Sequence, residues 1–224
     1  MESPERSVEI DAEGLRLHGD LVSPRAPRGL ILFAHGSGSS RMSPRNRSVA
    51  AALREGDLAT LLLDLLSPSE EARDNAGGMV RFDVGLLASR LAAAIDWLAR
   101  DSTTADLPIG LFGASTGAAA ALIAAARRPN DVSCVVSRGG RPDLAGDALE
   151  LVRSPTLLII GGEDEVVIQL NEQAFGRLVC VKELAIVPGA THLFEEPGAL
   201  ENVASLALEW FEGHLAPRAR VAGR

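Results

Sequence analysis

The chain has 224 residues, enough for one domain with a substantial hydrophobic core that needs neither disulfides nor metals. Its net charge of -8 argues against a nucleic-acid or anionic-membrane partner. Its two cysteines, Cys134 and Cys180, lie in apolar stretches, which predicts buried free thiols in a reducing compartment.

The first part of the chain predicts a hairpin followed by the start of a sheet. Residues 8–10 and 15–17 alternate apolar and polar side chains, which indicates an antiparallel hairpin. Residues 30–34 form a continuous apolar run, typical of a strand covered on both faces, and lead into the glycine-rich segment 35–40. A helix over 47–55, a strand over 59–65 and a loop over 67–78 are predicted next.

The rest of the chain alternates helices and strands. The clearest helix covers 80–99, where apolar residues recur at helical spacing. The other predicted strands are 108–112, 132–137, 155–160 and 183–187, and the other helices are 118–126, 143–152, 169–178 and 200–215. This alternation predicts an α/β fold with a mainly parallel sheet flanked by helices on both faces. We expect a single domain over 1–215 without a cap domain, followed by a frayed basic tail over 216–224.

A serine lies between a predicted strand and a predicted helix, in the segment Gly113-Ala114-Ser115-Thr116-Gly117. A glycine two residues away on each side is the pattern of a nucleophile elbow, whose tight turn admits only small neighbours. The turn projects the serine Oγ at the sheet edge, where the amides of the following helix face developing negative charge. The pattern also arises by chance in glycine- and alanine-rich chains. Its position at a strand-to-helix junction favours Ser115 as a nucleophile.

An acid and a histidine follow the last two predicted strands, at the edge where sites in parallel sheets gather. The order Ser115, Asp164, His192 is that of an α/β-hydrolase triad. The imidazole accepts the serine proton, and the carboxylate fixes the imidazole tautomer and stabilises the imidazolium. We therefore predict these three as the catalytic residues, with Glu163 and Glu165 as alternative acids.

Three other histidines compete with His192 for the role of base. His18 lies in the predicted hairpin and His214 near the end of the last helix, so neither follows a parallel strand. His35 does follow one, but its glycine neighbours favour a role in shaping the loop. His192 is therefore the predicted base.

The glycine-rich segment His35-Gly36-Ser37-Gly38 has three interpretations: a turn without a chemical role, a phosphate loop, or part of an oxyanion hole. The lysine and the following hydroxyl residue of a P-loop are missing, which argues against phosphate binding. We predict the backbone N–H groups of Ser37 and Thr116 as the oxyanion donors. On the loop side, the amide one residue away is the alternative donor.

Together, the His-Gly loop, the elbow and Gly189-Ala190-Thr191-His192 resemble an α/β-hydrolase of the dienelactone-hydrolase-like group, small and capless. The resemblance covers nearly the whole chain and implies the α/β-hydrolase fold. Dienelactone hydrolases proper use a cysteine nucleophile where this chain has Ser115, which favours a general carboxylic-ester hydrolase. Some similar proteins also share the motifs present here at residues 40–47 and 137–142.

Both of those motifs place arginines at the expected site edge. Arg41, Arg45 and Arg47 follow the glycine-rich loop, and Arg138 and Arg141 follow the strand after the elbow. An arginine there can hold a substrate carboxylate or phosphate through two parallel hydrogen bonds. We select Arg41 and Arg138 as candidate substrate-binding residues. The alternative is that the arginines fix loops by pairing with local acids. The acids considered for this are Asp64, Asp143 and Glu195.

The sequence thus predicts a serine hydrolase of small carboxylic esters or thioesters that works through an acyl-enzyme. The alternatives are an acyltransferase or perhydrolase with the same triad, and a catalytically inactive hydrolase fold that binds a ligand. We expect no metal and no cofactor, because no metal-ligand spacing is present. We further expect a small-molecule ester as substrate, no nucleic-acid or membrane partner, and a monomer or homodimer. An N-terminus without a signal-peptide apolar core predicts a cytoplasmic location.

Overall fold

The computed structural model describes residues 5–215, which form an eight-stranded sheet and helices on both of its faces. The strands are β1 (Glu5–Ala12), β2 (Leu15–Val22), β3 (Gly29–Ala34), β4 (Leu58–Leu63), β5 (Ile109–Ala114), β6 (Val132–Arg138), β7 (Thr156–Gly161) and β8 (Lys182–Val187). The helices are α1 (Pro44–Glu55), α2 (Pro68–Asn75), α3 (Val84–Leu98), α4 (Thr116–Arg127), α5 (Glu165–Arg177) and α6 (Ala199–His214). Two 3₁₀ segments span Val80–Phe82 and Pro142–Leu151. The predicted frayed tail, 216–224, lies outside the described residues.

The sheet brings the ends of its parallel strands to one edge. The strand order is β1-β2-β4-β3-β5-β6-β7-β8, with β1 and β4 both antiparallel to β2 and the remaining pairs parallel. The predicted hairpin and the predicted mainly parallel sheet are therefore confirmed. Because strands β3 to β8 point the same way, the segments that follow them meet at one edge of the sheet.

The alternation of side chains along the central strands builds one apolar layer on each face of the sheet. In β3, Leu30 and Leu32 pack in the layer that includes α3 and α4, whereas Ile31 and Phe33 pack in the layer that includes α1 and α6. Phe33 contacts Phe112 of β5, with ring centroids 4.8 Å apart. Both faces of β3 are thus buried, which explains its uninterrupted apolar sequence.

The predicted loop over 67–78 is wrong, because it contains helix α2. Ser67 accepts a hydrogen bond from the Glu70 amide and its own amide donates to the Glu70 side chain, which is a capping box, and Pro68 begins the helix. Glu70 also pairs with Arg90 of α3, and both side chains are buried. A buried ion pair therefore holds α2 against α3.

Two further helix predictions need correction. The predicted helix over 143–152 is a 3₁₀ segment interrupted at Gly146, whose φ of 56° no regular helix contains. Helix α5 begins at Glu165, four residues before the predicted start at 169, directly after the predicted acid Asp164. The earlier start places that acid at a helix N-terminus.

Both cysteines are free thiols. Cys134 is buried in β6, and burial raises the pKa of its thiol to about 12. Cys180 is only half-buried, so the prediction of buried thiols is confirmed for Cys134 alone. Over residues 5–215, none of the helices has the length and apolar character needed to cross a bilayer.

Candidate active site

Ser115 occupies a strained turn between β5 and α4. Its φ of 51° and ψ of -124° lie outside the regions that non-glycine residues favour. The Ser115 amide donates to the Arg138 carbonyl at 3.4 Å, and its carbonyl accepts from the Arg141 amide at 3.0 Å. These bonds to β6 and to the loop after it hold the turn in place. The geometry is that of the predicted elbow.

Glycines around the turn allow three backbone segments to approach one another. A Cβ on Gly117 would lie 2.2 Å from the Ala34 carbonyl oxygen, and one on Gly113 would lie 2.4 Å from Ala118 Cα. A Cβ on Gly36 would lie 2.9 Å from the Cβ of Ser115. The glycine-rich loop after β3 can therefore lie directly against the serine.

We expect Gly117→Ala to lower the free energy of unfolding by about 3 kcal/mol, because its methyl group has to separate α4 from the end of β3. The matched control is Gly176→Ala in α5, where an added Cβ meets nothing within 4 Å. Removing that helical glycine is expected to raise stability by about 0.5–1 kcal/mol. Urea denaturation of the three proteins measures both changes. If Gly117→Ala were as stable as wild type, the close approach of α4 to β3 would be contradicted.

The predicted acid and base are hydrogen-bonded. His192 Nδ1 lies 2.7 Å from Asp164 Oδ2, with the acid more buried than the histidine. A carboxylate can only accept, so Nδ1 carries the proton and Nε2 is the nitrogen available to take another. Glu163 and Glu165, the alternative acids, are exposed. The structure thus brings Asp164, rather than either neighbour, to His192.

Asp164 occupies a position where an aspartate side chain ordinarily caps a helix. It is the N-cap residue of α5, and an aspartate there usually accepts a hydrogen bond from an amide of the first helical turn. Here its side chain makes no capping bond and is directed to His192 instead. The carboxylate therefore bonds the imidazole rather than capping the helix.

The other histidines have contacts of their own. His35 is buried after β3, where its Nδ1 donates to the Gly36 carbonyl and its Nε2 accepts from the Leu65 amide at 3.0 Å. Burial lowers the pKa of His35 below its usual value, which keeps it in this neutral form. His214 Nδ1 bonds the Trp210 carbonyl, and the two rings stack. His35 therefore ties the glycine-rich loop to the segment after β4.

Ser115 and His192 line the same cavity at the carboxyl edge of the sheet, which holds about 250 Å³. The other lining residues are Gly36, Ser37, Ser39, Ser43, Arg45, Asn46, Ala114, Arg138, Gly139 and Leu193. Among residues 5–215, no hydrogen bond joins Ser115 Oγ to the His192 ring. Such bonds are often long without substrate and tighten when it binds.

The two predicted oxyanion donors lie side by side. The Ser37 amide donates to Thr116 Oγ1 at 2.9 Å, so this amide already has an acceptor in the elbow helix. The Thr116 amide belongs to the first turn of α4, whose N–H groups have no acceptor within the helix. The structure therefore places both residues at the elbow and ties the Ser37 amide to a side chain.

Four of the five arginines after β3 and β6 are paired with acids. Arg41 pairs with Asp64 and also lies 3.4 Å from Asp20. The remaining pairs are Arg45 with Glu195, Arg47 with Asp20 and Arg141 with Asp143. Of the candidate substrate-binding residues, Arg41 is outside the set of described residues that line the cavity. Its contacts are those of the loop-fixing alternative.

Arg138 is different. It is 7% exposed and lines the cavity, and its Nη2 donates to Asn46 Oδ1 at 3.3 Å. Its guanidinium lies 5.8 Å from the centre of the Phe194 ring, and its Nε has no hydrogen-bond partner. Burial and the nearby charge of Arg45 lower its pKa to about 10, which leaves it charged at neutral pH.

Sequence reasoning missed Asn46 as a site residue. Asn46 is 2% exposed, lines the cavity and holds Arg138. It lies in the first turn of α1, where its amide donates to the N-cap side chain of Ser43. The signal in the sequence was its place in the motif at 40–47, between Arg45 and Arg47.

Residues 66–213 match the model of the dienelactone hydrolase family. The structure of a dienelactone hydrolase from Anabaena variabilis is 55% identical to the chain and superposes with a TM-score of 0.95, covering 96% of this chain and 100% of that one. Est1E from Butyrivibrio proteoclasticus is 17% identical, with a TM-score of 0.76 over 92% of this chain and 98% of that one. At that identity the likeness shows the fold alone.

Two curated proteins of Mycobacterium tuberculosis, both provisionally named phosphoribosyl transferase, are also similar. Each is 56% identical over 211 residues, which cover 94% of this chain and 47% of the relative. The chain therefore spans about half the length of the curated relatives that it matches.

Proposed function

Because the chain belongs to the dienelactone hydrolase family and has its α/β-hydrolase fold, we propose that it is a serine hydrolase of small carboxylic esters or thioesters. The observation that carries the proposal is the 2.7 Å hydrogen bond between Asp164 and His192, at a cavity that Ser115 also lines. A nucleophile, a base and a group that orients the base are the parts that acyl transfer needs.

In the proposed reaction, His192 Nε2 takes the proton from Ser115 as the serine oxygen attacks the ester carbonyl. The C–O bond then breaks, and the imidazolium returns the proton to the departing alcohol. A water molecule, deprotonated by the same nitrogen, next attacks the acyl carbon. The bond from that carbon to Ser115 Oγ breaks, the imidazolium returns its proton to Oγ, and the acid is released. Asp164 stabilises the imidazolium in both halves.

The negative charge that develops on the carbonyl oxygen would be stabilised at the N-terminus of α4. Ser115 immediately precedes this helix, and the Thr116 amide is in its first turn. For the Ser37 amide to contribute, the oxygen has to replace or share the acceptor that Thr116 Oγ1 supplies. The Thr116 amide is therefore the principal proposed donor and the Ser37 amide the second.

The proposed substrates are short because the cavity is small. About 250 Å³ leaves little apolar surface to cover a long acyl chain, and each methylene left in water forfeits about 0.8 kcal/mol. We expect hydrolysis of p-nitrophenyl esters with kcat/KM highest for acetate to butyrate and declining for octanoate and longer chains. The measurement is kcat/KM across the series. Failure to hydrolyse every ester in the series would overturn the proposed function. A steady rise of kcat/KM to long chains would overturn the size limit.

The two curated relatives named as phosphoribosyl transferases are about twice as long as this chain, which covers 47% of each. Among the described residues, Ser115, Asp164 and His192 support acyl transfer as the proposed chemistry.

A further inference from the structure

Arg138 is held beside the nucleophile by the sheet itself. In the register of β5 and β6 it is the partner of Ala114, the residue before Ser115. Its carbonyl accepts the hydrogen bond from the Ser115 amide. The backbone of Arg138 therefore has a fixed position relative to the serine.

The side-chain charge of Arg138 has no ion-pair partner among the residues that the structure describes. Asn46 and the Phe194 ring are its contacts, and both are neutral. Across residues 5–215 no carboxylate forms an ion pair with it, whereas the equally buried Arg90 pairs with Glu70. Arg45, which lines the same cavity, adds a second positive charge that Glu195 partly compensates.

A buried charge without a counter-ion destabilises the folded state, because desolvation is not offset by an ion pair. Such a group is stabilised when a ligand brings the missing charge. Since Arg138 lines the cavity that contains Ser115, the ligand that reaches it is the ester itself.

Building on the proposed function, we propose that Arg138 binds an anionic group carried by the substrate, a carboxylate or a phosphate monoester, while Ser115 attacks the ester. Asn46 is a positioning residue that holds the guanidinium toward the cavity. A planar guanidinium can donate two parallel hydrogen bonds to either group, which would fix the orientation of the scissile carbonyl. The net charge of -8 makes a local positive site necessary for an anionic substrate.

The test uses 4-acetoxybenzoate, 4-acetoxyphenyl phosphate and the neutral methyl 4-acetoxybenzoate. For wild type we expect kcat/KM to be higher for at least one of the anionic esters, and the two anions compared identify the group preferred. Arg138→Gln is expected to lower kcat/KM for that ester by about 10- to 100-fold, mainly through KM. The neutral ester should change by less than about threefold. The matched control is Arg141→Gln, which removes an arginine paired with Asp143 and should keep the wild-type preference.

Stability separates a binding role from a scaffolding one. Removing an uncompensated buried charge should leave the melting temperature of Arg138→Gln unchanged or raise it, whereas loss of a structural arginine lowers it. Arg138→Lys keeps the charge without the planar fork and should lose less anion preference than Arg138→Gln. Equal losses on charged and neutral esters, or a lowered melting temperature with unchanged preference, would overturn the proposal.

A binding measurement distinguishes failure of this inference from failure of the hydrolase proposal. Benzoate, phenyl phosphate and benzamide are titrated into wild type and Arg138→Gln by calorimetry. Binding of an anion that is lost in Arg138→Gln, with benzamide weak in both, supports the anion site even if no ester is hydrolysed. If wild type hydrolysed neutral esters but bound neither anion, the hydrolase proposal would stand and the proposed anion site would be excluded.

Discussion

Ser115→Ala is expected to abolish ester hydrolysis, with kcat for p-nitrophenyl acetate lowered on the order of 10⁵-fold. Without Oγ no acyl-enzyme forms, and the remaining rate comes from binding and from the oxyanion donors alone. The variant should keep its fold, because the hydrogen bonds that hold the turn are made by the backbone of residue 115 and remain with alanine. A fluorophosphonate probe should label wild type at Ser115 and leave Ser115→Ala unlabelled.

Another serine in the same cavity supplies the matched control. Ser39 also lines the cavity, so Ser39→Ala tests whether a neighbouring hydroxyl reacts with the probe. We expect Ser39→Ala to be labelled as fast as wild type within about threefold, with the adduct on the peptide that contains Ser115. Labelling of Ser115→Ala, or an adduct mapped to another residue, would exclude Ser115 as the nucleophile.

The sequence predicted the elbow from short-range features and the meeting of Asp164 with His192 from the topology of a parallel sheet. The strand, the turn and the helix around Ser115 are encoded by the consecutive residues 109–127, and the glycines of the turn are required by contacts within that unit and with the adjacent loop. Asp164 and His192 follow parallel strands, and parallel strands bring their ends to one edge. Local signals and one topological rule were thus enough to predict that Asp164 lies beside His192.

Helix α2 was missed because its stability comes from a distant partner. Its sequence carries a capping box but no apolar run, so the signal lacked the feature that usually accompanies it. The helix is held by Glu70, which pairs with Arg90 twenty residues later. No periodicity reveals that a charged side chain on a helix is buried against a partner.

The partner of each arginine could be proposed from the sequence but not chosen. The loop-fixing alternative named Asp64, Asp143 and Glu195, and these acids do pair with Arg41, Arg141 and Arg45. Arg138 instead reaches Asn46, which is 92 positions away in the chain and was not considered. Whether Arg138 meets an acid or Asn46 depends on where the end of β6 lies relative to α1 in the fold, and a local motif carries no information about that.

The exchange of a single oxygen for nitrogen at Asp164 should separate orientation of the base from stability of the fold. We expect Asp164→Asn to lower kcat for a neutral short ester by about 10³- to 10⁴-fold. The amide can donate to Nδ1 of His192, which favours the tautomer with its proton on Nε2, and that tautomer cannot accept the serine proton. Steady-state kinetics with p-nitrophenyl acetate gives the change.

The stability of the fold should be nearly unchanged in Asp164→Asn, so a loss of activity can be assigned to His192 rather than to unfolding. Asp164 makes no capping bond to α5, and asparagine is as good an N-cap residue, so the free energy of unfolding should change by less than about 1 kcal/mol. Glu163→Gln is the matched control, since this neighbour is exposed and should keep wild-type kcat. If Asp164→Asn retained full activity while Glu163→Gln or Glu165→Gln lost it, the 2.7 Å bond to His192 would be structural and the orienting acid would be the glutamate.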